Sequence, residues 1–214
     1  MIIKTPTNIV LIACAVLLAG CAINMPFNHR LASSELGEAS SLSAAKLGPV
    51  SLEWFPVDFP NREDVQSASG LLGWWPKTRI PTGMGLASRI DKALDAAVGI
   101  GSKSKSVLQI VVLSAVSEFE FAPGMFLSTP EIDYGRCSFE AEFDYDGYKW
   151  RQVFVSEEKN TSSGYSRQTG PLEKVWDNIA LQVAKSVVNN MEKAEEIRKH
   201  EDSTRNRPAE MKGQ

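Results

Sequence analysis

Three cysteines, Cys14, Cys21 and Cys137, and two histidines, His29 and His200, are the scarcest reactive groups of this 214-residue chain. A thiol reacts as its thiolate, which needs a nearby cation or a helix N-terminus. Cys137 has neither in its neighbourhood and alternates with aromatic residues, so it reads as a buried, inert thiol. Three cysteines make no disulfide framework. A Ser-His-Asp triad or a histidine-rich zinc site needs a histidine in the core, and both histidines fall near the ends.

The carboxylates divide in the same way. Glu140, Glu142 and Asp144 recur every second residue and would share one face of a strand, where acid–base chemistry is conceivable. Lys149 and Arg151 would face them across a hairpin, which makes a solvated, charge-paired surface. Asp144-Tyr145-Asp146-Gly147 has the look of a calcium-loop fragment but lacks the further ligands and the closing Glu. It reads as a hairpin turn. Gly83-Met84-Gly85 and Gly99-Ile100-Gly101-Ser102-Lys103-Ser104 lack the spacing of phosphate loops and read as helix start and stop signals. The expectation is no catalytic residue, no metal ligand set and no cofactor, hence not an enzyme. One stretch does favour contact, Leu71-Leu72-Gly73-Trp74-Trp75-Pro76-Lys77-Thr78-Arg79. Adjacent tryptophans on an extended backbone cannot both face a core. Trp74, Trp75, Lys77 and Arg79 are therefore the candidate contacts with a partner or ligand. The competing reading is a loop folded back to close one end of a sheet.

The elements that must position these residues are legible from periodicity. Val50 to Phe59 reads as a strand whose alternation slips at Trp54-Phe55 before Pro56, which suggests a bulge or an edge. Asn61 to Gly85 has no clear period. Met84 to Val98 reads as a helix with Leu86, Ile90, Leu94 and Ala97 on one face, stopped by Gly99 and Gly101. Ser106 to Phe121 reads as a central strand, apolar on both faces at Val107 to Leu113. Ala122 to Gly135 reads as a loop. Cys137 to Val155 reads as a hairpin around Asp146-Gly147. Its register pairs Tyr145 with Tyr148, Phe143 with Trp150, Phe139 with Phe154, Asp144 with Lys149 and Glu142 with Arg151. A slip of one residue would break both the aromatic and the charge pairs. After a polar loop from Glu157 to Thr169, Gly170-Pro171 opens a helix with an apolar stripe at Leu172, Val175, Trp176, Ile179, Val183, Val187 and Met191. The order predicts an α/β (α+β) two-layer sandwich over residues 49–199. A mixed sheet of about four strands would carry two helices on one face, in the order β-α-β-β-β-α. Residues 200–214 read as a polar tail.

The chain's start reads differently. Lys4 precedes an apolar run from Ile9 to Leu18, about ten residues, the length of a signal-peptide core rather than of a membrane span. Leu18-Ala19-Gly20 then leads into Cys21, and residues 24–47, polar and rich in Ala, Ser and Leu, read as a tether with one short helical piece.

Leu18-Ala19-Gly20-Cys21 resembles, position by position, the lipobox of bacterial lipoproteins. The resemblance implies removal of residues 1–20, a diacylglyceryl thioether on Cys21 and acylation of the new N-terminus. Several acyl chains hold a protein stably where one holds only marginally. Ala22, where Asp would imply inner-membrane retention, implies the outer membrane, periplasmic face. The strand–helix layout behind this motif is similar to that of small outer-membrane α/β lipoproteins of the lipopolysaccharide-assembly type.

With 43% hydrophobic and 23% charged residues and a net charge of −3, the composition is globular and argues against nucleic acid as a partner. The expected role is a non-enzymatic envelope lipoprotein, an accessory or assembly component held to the membrane through Cys21 and bound to another envelope protein. The alternative is recognition of an acidic glycolipid or a peptidoglycan fragment through residues 71–79.

Overall fold

The computed structural model describes residues 22–42, 48–66, 77–122, 131–162 and 169–205. Among the described residues two sheets and three helices form an α+β fold. The larger sheet has four strands, β2 (Val50–Pro56), β5 (Ser106–Ala122), β6 (Glu131–Tyr145) and β7 (Tyr148–Ser162), in that spatial order. β2 runs parallel to β5 and the other pairs are antiparallel. A smaller sheet joins β1 (Ile23–Asn24), β4 (Thr78–Ile80) and β3 (Glu63–Val65). Helices α2 (Thr82–Val98) and α3 (Gly170–Arg205) pack on the large sheet and on each other, and α1 (Ser33–Ser41) packs on both of them.

The hairpin takes the register its sequence dictates, with each aromatic and charged pair opposite its predicted partner. Asp146, at φ 49°, and Gly147, at φ 94°, supply the left-handed turn that matches the twist of the strands. Phe143 and Trp150 stack at 5.0 Å between ring centroids. On the other face Lys149 reaches Asp144, and Arg151 bridges Glu140 and Glu142.

β5 serves one face with two phases. Leu108, Ile110 and Val112 are buried, and so are Ala115, Ser117 and Phe119. Strict alternation would instead turn Val116 and Glu118 inward. The register shift between Val112 and Ser114 inserts one residue and moves Phe119 into the core, leaving Glu118 and Glu120 in water. The helices bury the stripes read from periodicity. Leu86, Ile90 and Leu94 of α2 and all seven named positions of α3 are fully buried.

Of the bulge and the edge expected at Trp54-Phe55-Pro56, the edge holds, since β2 is the outer strand and its register on β5 is continuous. Other expectations change. The strands are longer than their apolar runs. β6 begins at Glu131 inside the expected loop, and β7 extends to Ser162, because backbone pairing continues where side chains no longer alternate. α3 continues through Arg205, six residues into the expected tail. The segment read as a tether is part of the domain over residues 22–42. Phe27 and Ala39 are in the core, and α1 is tied to α3 by Glu35–Lys174 and by Glu38–Lys185 at 2.6 Å.

α3 lies close on β6 at Gly135. A Cβ there would come within 2.5 Å of the Leu172 backbone nitrogen and 2.6 Å of its Cα. Backbone yields less than a side-chain tip, so Gly135→Ala is expected to cost about 3 kcal/mol, the upper end for overpacking. Urea unfolding measures it, and a loss well below 1 kcal/mol would mean that the helix can lift off the sheet cheaply.

Candidate functional site

The residues around an N-terminal strap, from Ile23 to His29, make the candidate site. Ile23 and Asn24 pair in parallel with Thr78 and Arg79 of β4. The chain then runs across the N-terminal halves of α2 and α3. Phe27 drops between Phe119, at 6.2 Å between centroids, and Trp176, at 5.3 Å. Asn28 N–H donates to the Glu173 carboxylate at 2.9 Å, and Thr169 Oγ1 donates to the same oxygen at 2.8 Å. Ser88 Oγ donates to the carbonyl of His29 at 3.0 Å.

Arg89 organises this seat. Its side chain is wholly buried. It donates through Nε to Asp177 at 2.6 Å, through Nη1 to the Gly85 carbonyl at 3.1 Å and through Nη2 to the Asn28 carbonyl at 2.6 Å. Its guanidinium lies over the Trp176 ring at 5.3 Å. One cation thus ties α2, α3 and the N-terminal strap together. Burial pushes the Asp177 carboxyl above its ordinary range, and Arg89 only partly opposes this.

Of the predicted contacts, Cys21, Trp74 and Trp75 lie outside the described residues. Lys77 is exposed. Arg79 forms a bidentate pair with Asp64, directly across β3–β4, at 2.7 and 2.8 Å. The Arg79 guanidinium holds the Asp64 carboxyl below the usual carboxylate range. Arg79 therefore fastens the small sheet as well as standing beside the strap. A groove of about 200 Å³ opens here, lined by Asn24, His29, Arg62, Arg79 and Met84 among others.

Cys137, Glu63, Asp91 and Asp95 have structural partners. Cys137 is buried and receives a hydrogen bond from Ser117 Oγ at 3.6 Å, and burial pushes its thiol up to about 12. Trp176 Nε1 donates to Ser117 Oγ at 3.2 Å. The Glu63 carboxylate accepts from Thr82 Oγ1 and from the Ser117 backbone N–H. A second groove of about 390 Å³ lies between β2 and α2. Its Asp91 accepts from Trp54 Nε1 at 3.0 Å, and burial raises that carboxyl, while Asp95 accepts from Ile100 N–H at 3.1 Å. Among the described residues no group of three or more His, Cys, Asp or Glu could hold a metal ion, and no helix is long and apolar enough to cross a membrane.

Sequence reasoning missed Phe27, Arg62, Arg89 and Asp177. Arg89 left a trace, because it falls in phase with Leu86, Ala93 and Ala97 on the buried side of α2.

No family model matches the chain, and no curated protein does. Among solved structures it is similar to a minor lipoprotein from Acinetobacter baumannii, at 14% identity and a TM-score of 0.34, over 49% of this chain and 84% of that one. It is also similar to a DUF330 protein from Xanthomonas campestris, at 12% identity and a TM-score of 0.30, over 66% of this chain and 81% of that one.

Proposed function

We propose that the chain is a non-enzymatic lipoprotein of the bacterial cell envelope, acylated at Cys21. It is held on the periplasmic face of the outer membrane and binds another envelope protein as an accessory or assembly component. The observation that carries the reading is the junction of motif and fold. The lipobox Leu18-Ala19-Gly20-Cys21 ends one residue before Ala22, and Ile23 already pairs with Thr78. The domain hangs directly from the modified residue.

Partner binding is supported by the face of the large sheet that no helix covers among the described residues. Val116, Ser138 and Val155 form one row across β5, β6 and β7, and Ser114, Glu140 and Val153 the next. Val116, Val153 and Val155 are about half exposed, at 47%, 53% and 47%. Exposed apolar side chains grouped within a charged surround suit a protein contact better than bare solvent.

Membrane fractionation and intact mass test the anchor. Wild type is expected in the outer-membrane fraction with residues 1–20 removed and acyl chains on Cys21, whereas Cys21→Ala carries no acyl mass and keeps its leader. A wild-type chain recovered without acyl mass would overturn the reading. Photo-crosslinkers at positions 153 and 155 test the partner face against crosslinkers at Trp74 and Trp75.

A further inference from the structure

We propose that the end of the domain built by β1, β3 and β4 is a bilayer-facing surface. There Arg62, Lys77 and Met84 contact anionic phospholipid headgroups and fix how the domain stands on its membrane. The inference rests on the Cys21 anchor of the proposed function and adds an orientation to it.

The first argument is reach. Cys21 precedes Asn24 by three residues, and an extended chain spans at most about 3.6 Å per residue, so the anchor lies within about 11 Å of the Asn24–Arg79 pair. That is about one Debye length at physiological salt, so charges at this end feel a membrane surface that charges elsewhere do not. The segment that follows is not slack. Phe27, Asn28 and His29 are held to Trp176, Arg89 and Ser88, so the anchor cannot swing to another face while the strap is seated.

The second argument is charge. Arg62 and Arg79 line the groove beside the strap, and Lys77 lies close enough to act on Asp64. Asp64, the carboxylate facing them, is taken by the bidentate pair with Arg79. Glu63 is turned to Thr82 and Ser117. Arg62 and Lys77 are exposed and have no ion pair among the described residues. Glu63 keeps its charge, since both of its donors are neutral, and the exposed Glu120 lies beyond β3 beside Val65, so this end offers two exposed cations, Arg62 and Lys77, rather than a net positive charge. Met84, 46% exposed on the first turns of α2 and lining the same groove, supplies an apolar side chain that can enter the headgroup layer.

The fold also provides its own control. Val107 N–H donates to Asp146 at the hairpin turn, whereas Phe119, the ring beside Phe27, is twelve residues further along β5, about 40 Å away. Lys103 and Lys105 precede Val107, are exposed, and stand at the end far from the anchor.

The test uses the full acylated protein in vesicles of phosphatidylcholine, alone or with one-third phosphatidylglycerol. Amide hydrogen exchange is read at residues 22–24, 63–65 and 77–84. Exchange there is expected to slow by about fivefold or more in the anionic vesicles, the effect of roughly one cation at such a surface. Half-molar salt is expected to abolish the slowing. Arg62→Glu/Lys77→Glu is expected to lose it, and Lys103→Glu/Lys105→Glu, with the same change in net charge, to keep it. Equal exchange in both vesicles, or slowing confined to residues 151–157 of β7, would overturn the proposal. So would slowing that needs an added acidic protein. Intact mass of the same preparation reads acylation separately. An acylated chain with no dependence on phosphatidylglycerol removes the headgroup contact and leaves the anchor. An unacylated chain that sediments only with anionic vesicles does the reverse.

Discussion

Arg89→Ala is expected to lower the unfolding free energy by about 3–5 kcal/mol, the cost of leaving a buried carboxylate without its counter-charge. The guanidinium is wholly buried and Asp177 nearly so, so water cannot replace the lost donor. The same substitution strips donors from the Gly85 and Asn28 carbonyls and frees one face of Trp176. Arg89→Met/Asp177→Leu should recover most of the loss, because an apolar pair of similar volume buries no charge. It should fall about 1 kcal/mol short of wild type, for the Asn28 carbonyl that loses its donor and the second lone pair of the Gly85 carbonyl, whose helical partner stays.

The pH dependence of that loss distinguishes an uncompensated carboxylate from a simple cavity. Burial raises the Asp177 carboxyl in the folded protein above its unfolded value. A raised carboxyl means that the folded state binds the proton more tightly than the unfolded chain does. Stability contributed by this group therefore grows as pH falls through the folded value. Removing Arg89 removes an influence that lowers the carboxyl, so the variant's Asp177 titrates higher still. The deficit of Arg89→Ala relative to wild type should therefore be smaller at about pH 5 than at about pH 8. Urea unfolding at both values measures it. An equal deficit would assign the loss to packing alone.

What was legible in the sequence follows from the length of each element. The hairpin announces itself because fifteen-residue strands repeat one pattern many times and Asp146-Gly147 closes only one register. α2 and α3 are long enough for a stripe to repeat over several turns. β1 has two residues, and β3 and β4 have three each, too few for any period, and their pairing across the chain is set by tertiary contact. That is why Asn61 to Gly85 reads as structureless and why the partner of Arg79 could not be named. Asp64 lies fifteen residues away, and only the β3–β4 register brings it opposite. Residues 24–47 misled for a different reason. Their composition is that of a linker, and a single aromatic, Phe27, carries much of the burial that fixes the strap.

Phe27→Ala is expected to cost about 3 kcal/mol and to release the strap. Phe27 is 8% exposed and touches two core rings, so truncation removes a buried aromatic and leaves a cavity between Phe119 and Trp176. The hydrogen bonds of Asn28 and His29, worth about 1–3 kcal/mol each, cannot alone keep residues 22–32 ordered against a conformational entropy of about 1–2 kcal/mol per residue. Phe27→Leu retains most of the volume and should cost less than about 1.5 kcal/mol. If the strap folds with the core, the urea midpoint falls in the alanine variant. If it releases alone, the midpoint holds while hydrogen exchange and protease cleavage rise only within residues 22–32. With the proposed acylation of Cys21, either outcome would make the anchor's position a property of the fold, one side chain deciding whether the domain is held at the anchor or trails from it. A Phe27→Ala chain with wild-type midpoint, exchange and cleavage would instead restore the reading of this segment as a tether.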